Sequence, residues 1–157
     1  MVNIIVQLSK YLMIVLIIMY TYLCFSIFGY YDPDKKDRCL KKQNVLMFVM
    51  HLTAFLVMFL VKLDIKILAL YLMQVTLLGG TIVLYMFIYP RVSRLVVNNM
   101  CMLLSIGFIM ITRLNYDKAA KQYLIAAGGL VLCMIIPVII RKFKLLSEWR
   151  IFYGVLG

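Results

Sequence analysis

Long apolar stretches alternate with short polar ones along the whole chain. Apolar runs cover residues 11–29, 45–61, 67–89, 95–112 and 123–140. Each is close to the roughly 20 residues that an α-helix needs to cross a hydrocarbon core. The polar intervals fall at 32–44, 62–66, 90–94 and 113–122, and a basic segment follows at 141–150. A sixth apolar run starts at Ile151 and reaches Gly157. Pro90 closes the third run, because proline lacks an amide donor and disfavours helix in the residue before it. The interval 113–122 is too short for anything but an antiparallel helical hairpin. The pattern predicts an all-α, polytopic transmembrane bundle with five complete spans and the start of a sixth.

Composition sharpens this reading. Of the 157 residues 66% are hydrophobic, and the mean hydropathy is +1.02. Soluble domains are about 45–50% apolar, so a water-soluble globule is excluded. The charged residues, 15% of the chain, cluster in a few places, as they do when wet loops join helices in lipid. A net charge of +11 in a soluble protein would point to nucleic acid. In a membrane chain the same excess orients helices, so no nucleic-acid partner is expected. The first run is longer than the 7–15-residue core of a secretory signal and has no small-residue cleavage site, which favours an uncleaved span. Tyr20, Tyr22, Tyr30 and Tyr31 suit an aromatic belt at its far end. Cys24, Cys39, Cys101 and Cys133 show no paired spacing, so neither a disulfide framework nor a metal site is expected.

Lys and Arg divide unequally between the alternating intervals. One side collects Lys35, Lys36, Arg38, Lys41, Lys42, Arg91, Arg94, Arg141, Lys142, Lys144 and Arg150. The other has Lys10, Lys62, Lys66, Arg113, Lys118 and Lys121, so eleven face six. The positive-inside rule then puts the N-terminus and residues 113–122 outside, with 141–150 in the cytoplasm.

Few residues inside the runs offer chemistry. His51 is ionisable within the second run and is a functional candidate on that ground. Without an acid in the other spans it reads better as a neutral imidazole bonded to a neighbouring helix. Gln74, Thr76 and the pair Gly79-Gly80 in the third run, and Gly128-Gly129 in the fifth, read as packing residues. Pro137 is expected to kink the fifth helix. Asn98 and Asn99 are placed to cap a helix or bond between helices. Asp117 is the one acid in 113–122, with Arg113, Lys118 and Lys121 around it. Neighbouring cations lower a carboxylate's pKa, whereas a general base needs a raised one. Asp117 therefore reads as a residue that orients the turn. No nucleophile elbow, P-loop, zinc helix or dinucleotide fingerprint is present. No catalytic, cofactor-binding or metal-binding residue is assigned.

The C-terminal third nevertheless carries a resemblance. Met102-Leu-Leu-Ser-Ile-Gly-Phe-Ile-Met-Ile-Thr112, a short loop ending near Gln122, a glycine-containing helix and the basic stretch 141–150 follow one another. This order resembles the start of the RodA/FtsW/SpoVE (SEDS) family of bacterial shape, elongation, division and sporulation proteins. The resemblance covers residues 95–157 and rests on helix order, small residues and loop charge. It implies a division into an added three-helix extension, 1–94, and the beginning of the family core, 95–157. It implies the same orientation as the charges do, since three added helices need an outside N-terminus to preserve it. It further implies a peptidoglycan glycosyltransferase that joins lipid II disaccharides at the outer face of the bacterial cytoplasmic membrane. A class B penicillin-binding protein would be the transpeptidase partner, and no cofactor is implied. The family's essential aspartate belongs to a large outer loop beyond residue 157, so no residue here inherits that role. Residues 1–157 alone are then expected to insert in membranes without polymerising, and the natural gene to continue. Two rivals stay open: a transporter of lipid-linked precursors, and a non-catalytic membrane scaffold of the division or elongation machinery.

Overall fold

The computed structural model describes residues 2–142. They form five α-helices in chain order: α1 Val2–Gly29, α2 Pro33–Lys62, α3 Ile65–Ile88, α4 Arg94–Leu114 and α5 Tyr116–Lys142. There is no strand among the described residues. The chain is all-α, as the apolar runs predict. Even α4, with 21 residues, is about 32 Å long at roughly 1.5 Å per residue, against a hydrocarbon core of about 30 Å. All five helices are long and apolar enough to cross a membrane, and the chain is a multi-pass membrane protein. Residues 143–157, with most of the basic segment and the sixth apolar run, lie outside the described residues.

The chain divides into two compact units, Met1–Tyr123 and Leu124–Gly157. In the first unit α2 packs on α1, α3 and α4, and α3 also packs on α4. The buried positions trace one stripe per helix: Cys39, Gln43, Met47, Met50, His51, Ala54 and Phe55 on α2, and Val97, Asn98, Cys101, Met102, Ser105, Phe108, Ile109 and Thr112 on α4. Steps of three and four put each set on one helical face. The opposite faces are apolar and exposed, with Phe25, Phe87 and Leu103 among the largest such side chains. In the second unit, the remainder of α5 is a single helix with Pro137 inside it.

The helix ends are set by short polar signals. The expected polar loop at 32–44 is corrected here: only residues 30–32 lie outside helix, and α2 starts at Pro33. The Asp32 side chain accepts from the Asp34 amide at 3.0 Å, and Pro33 occupies the first helical turn, where its missing amide costs nothing. Asp37 and Lys41, one turn apart and 2.7 Å from each other, support the charged stretch as helix. Asp64 caps α3 in the same manner as Asp32, accepting from the Lys66 amide at 3.0 Å. The expected turn at 113–122 is also corrected. Asn115 alone separates α4 from α5, and the rest of that stretch is helical. The Asn115 amide donates to the Ile111 carbonyl at 2.9 Å, closing α4. Its Oδ1 accepts from the Asp117 and Lys118 amides at 2.9 and 3.2 Å, opening α5. Asn115, not Asp117, is therefore the orienting residue.

Arg94 at the start of α4 pairs with Asp37 near the start of α2. That contact brings the clusters at 35–42 and 91–94 to the same end of the first unit, as their grouping on one side requires. The hydrogen bond from Lys41, reinforced by the charge of Arg94, holds the Asp37 carboxyl below its ordinary value of 3.8. A depressed carboxylate contributes stability above its unfolded pKa and loses it as the pH falls through the lower folded value. In an acid titration followed by NMR, Asp37 is accordingly expected to protonate below 3.8, and Arg94→Gln to move it back upward. A second expectation concerns Leu63, which ends α2 in the left-handed region at φ 50°. A side chain there costs about 1–2 kcal/mol, partly offset by the lower unfolded-chain entropy of a non-glycine residue. Leu63→Gly should therefore stabilise the protein by about 0.5–1 kcal/mol in thermal denaturation in detergent.

Candidate functional site

Among the described residues of the first unit seven polar side chains are buried: Gln43, His51, Gln74, Thr81, Asn98, Ser105 and Thr112. Their placement follows helical repeat. Asn98, Ser105 and Thr112 are seven residues apart on α4, as are Gln74 and Thr81 on α3. A seven-residue step returns nearly to the same face, so each helix presents a polar seam to its neighbours.

Two clusters result. Toward the basic end, Asn98 Nδ2 donates to the Leu40 carbonyl and to Gln43 Oε1, both at 3.2 Å. Gln43 Nε2 in turn lies 3.5 Å from Cys24 Sγ. Asn99 Oδ1 accepts from the Tyr20 hydroxyl at 3.0 Å and from Cys24 at 3.2 Å. Three helices, α1, α2 and α4, are thus tied together by one connected set. Asn98 and Asn99 act between helices and do not cap one. Tyr20 corrects its expected place in an aromatic belt: it is buried against α4, whereas Tyr22 and Tyr31 are exposed.

Deeper along α2, His51 Nδ1 pairs with Ser105 Oγ at 2.8 Å. The imidazole is fully buried and stacks on Tyr71, with ring centroids 5.7 Å apart, and meets Phe55 at 4.8 Å. The expected bond from His51 to a neighbouring helix is therefore observed, and Ser105 is the partner. A His–Ser contact invites comparison with a nucleophile and its base. Such a pair also needs a third group to orient the base. His51 Nε2 has no hydrogen-bond partner among the described residues, and no His, Cys, Asp or Glu cluster suited to a metal ion occurs among them. The pair joins α2 to α4, and no third group orients the imidazole among the described residues.

The other candidates resolve differently. Gln74 is fully buried, and neither amide atom has a partner among the described residues. Thr76 bonds back to the Leu72 carbonyl of its own helix at 2.8 Å and does not bridge helices. A Cβ at Gly79 would rest 3.8 Å from Phe48, an ordinary contact, and one at Gly80 would meet nothing within 4 Å. Close backbone approach therefore does not require glycine at either position. Asp117 sits in the first turn of α5, where a carboxylate complements the helix dipole. Gln43 and Ser105 were not singled out by the sequence, although the seven-residue spacing of Ser105 from Asn98 and Thr112 was there to be read; Tyr20 was placed in an aromatic belt and Cys24 was given no bonding role.

No protein-family model, curated protein or solved structure matches this chain.

The His51–Ser105 contact gives a measurable coupling. Interhelical hydrogen bonds inside membrane proteins average about 0.6 kcal/mol in double-mutant cycles. His51→Ala and Ser105→Ala, singly and together, should show a coupling of that size in unfolding measurements. His51→Ala combined with Thr76→Ala should instead be additive, because the Thr76 hydroxyl is satisfied within its own helix.

Proposed function

We propose that these helices form the N-terminal membrane part of a RodA/FtsW/SpoVE-type peptidoglycan glycosyltransferase in a bacterial cytoplasmic membrane. The observation that carries the reading is the order of elements from residue 95 onward. A first apolar helix with Ser105 and Gly107, a minimal polar joint at Asn115 and a glycine-containing apolar helix precede a strongly basic exit. In this reading the substrate is lipid II and the partner is a class B penicillin-binding protein. The polyprenyl chain runs between helices while the sugars are held at the wet outer end. The N-terminus and the Asn115 joint lie outside, and the basic ends of α2 and α4 lie in the cytoplasm. The proposed catalytic acid belongs to an outer loop C-terminal to these helices.

Two measurements test this reading. With the four cysteines replaced, Asn115→Cys should react with a membrane-impermeant maleimide in intact cells. Labelling only after permeabilisation would place the joint in the cytosol and sink the assignment. The gene product that contains these helices, reconstituted with lipid II, should build glycan strands. Movement of lipid II across vesicles without polymerisation would favour a transporter, and neither activity would favour a scaffold.

A further inference from the structure

The ends of α1 and α2 form an open-sided cavity of about 220 Å³. Its lining is divided by chemistry. Leu23, Cys39 and Tyr30 supply apolar and aromatic wall, and Lys35, Arg38 and Lys42 supply three cations. Steps of three and four residues place those cations on one face of α2. No ion pair engages any of the three among the described residues, whereas Lys41 and Arg94 are both held by Asp37. The nearby Asp34 meets Arg38 through its backbone carbonyl, at 3.4 Å from Arg38 Nε, and not through its carboxylate. The cavity also lies at the level where the helices leave the apolar phase. The apolar part of α2 begins at Val45, just after Lys42, and α1 ends at Gly29, just before Tyr30.

Uncompensated cations around a concavity with one apolar wall, at the rim of the spans, match a phosphodiester that is tethered to acyl chains. We infer that this cavity holds the headgroup of an anionic phospholipid, with Lys35, Arg38 and Lys42 around the phosphate and Leu23 and Tyr30 against the glycerol backbone. A free phosphate would use the cations but leave the apolar wall without a partner. The inference needs only that the chain is embedded in a bilayer and is independent of the proposed enzymatic role.

Native mass spectrometry of the purified full chain, released from detergent after incubation with phosphatidylglycerol or phosphatidylcholine, tests it. Phosphatidylglycerol should be retained in preference to phosphatidylcholine. Each cation near an anionic lipid surface contributes about fivefold in binding. The variant K35Q/R38Q/K42Q should therefore retain phosphatidylglycerol at least about tenfold less well. K36Q/K41Q/R91Q removes the same charge outside the cavity and should retain it as the parent does. Equal loss in both variants, or equal retention of the two lipids, overturns the site. Displacement of the lipid by inorganic phosphate at similar concentration overturns the lipid assignment in favour of a free anion. If the triple variant fails to fold, a photoactivatable phosphatidylglycerol decides on the parent chain. Crosslinks within residues 23–42 support the site, and crosslinks confined elsewhere overturn it.

Discussion

A polar side chain inside a bilayer has no water to bond to, so whatever it pairs with must come from the protein. That constraint organises the first unit. Its helices are apolar on the faces that point outward, and simple burial of apolar surface cannot choose between those faces and the inner ones, because lipid is as apolar as leucine. The choice falls to groups that lipid cannot satisfy. Gln43 and His51 on α2, Gln74 on α3, and Asn98 and Ser105 on α4 are turned inward. The large aliphatic and aromatic side chains between them then pack or face outward according to the register those polar residues set. Met47, Met50, Leu70, Leu78 and Phe108 fill the space around the polar seams and are fully buried. Dispersion between these close-packed atoms supplies the attraction that water would otherwise provide.

The wet ends of the bundle follow a second rule. Helix termini leave backbone amides and carbonyls unpaired, and near a membrane surface those groups must be closed within a residue or two. Asp32, Asp64 and Asn115 each accept from the amide two residues ahead and so start the next helix almost where the last one stops. Short joints leave little freedom in how charges are distributed. The cations collect on the first turns of α2, at 35–42, and at 91–94, in the joint before α4 and its first residue, where Asp37 partly gathers them. Among the described residues Lys35, Lys36, Arg38, Lys42 and Arg91 have no ion pair, and Lys35, Arg38 and Lys42 of these line the cavity at the α1–α2 end.

The functional consequence is a division of labour between conformation and chemistry. The buried clusters are amides, hydroxyls, thiols and one imidazole, and among the described residues they join helices to one another. The basic, cavity-bearing end lies where the apolar stretch of α2 stops, the position argued above for a lipid headgroup.

The residues alone determined the class and the five helices of the described residues. Runs of 17 or more apolar residues have no other stable arrangement in lipid, because every backbone group must be bonded within its own segment. They also determined that His51 would bond to another helix and that Asn98 and Asn99 had bridging as one of their roles. What they left undecided was which partner each group found. Ser105 lies 54 residues from His51 in sequence, and Tyr20 lies 79 from Asn99. Only the packing of α1, α2 and α4 brings them together. Charge runs at 32–44 and 113–122 read as loops, because charge is unfavourable in lipid. Local caps at Asp32 and Asn115 turned them into helix, since helix satisfies the backbone equally well in water and at the interface. Hydropathy reports where a segment resides, and hydrogen-bond geometry decides what shape it takes there.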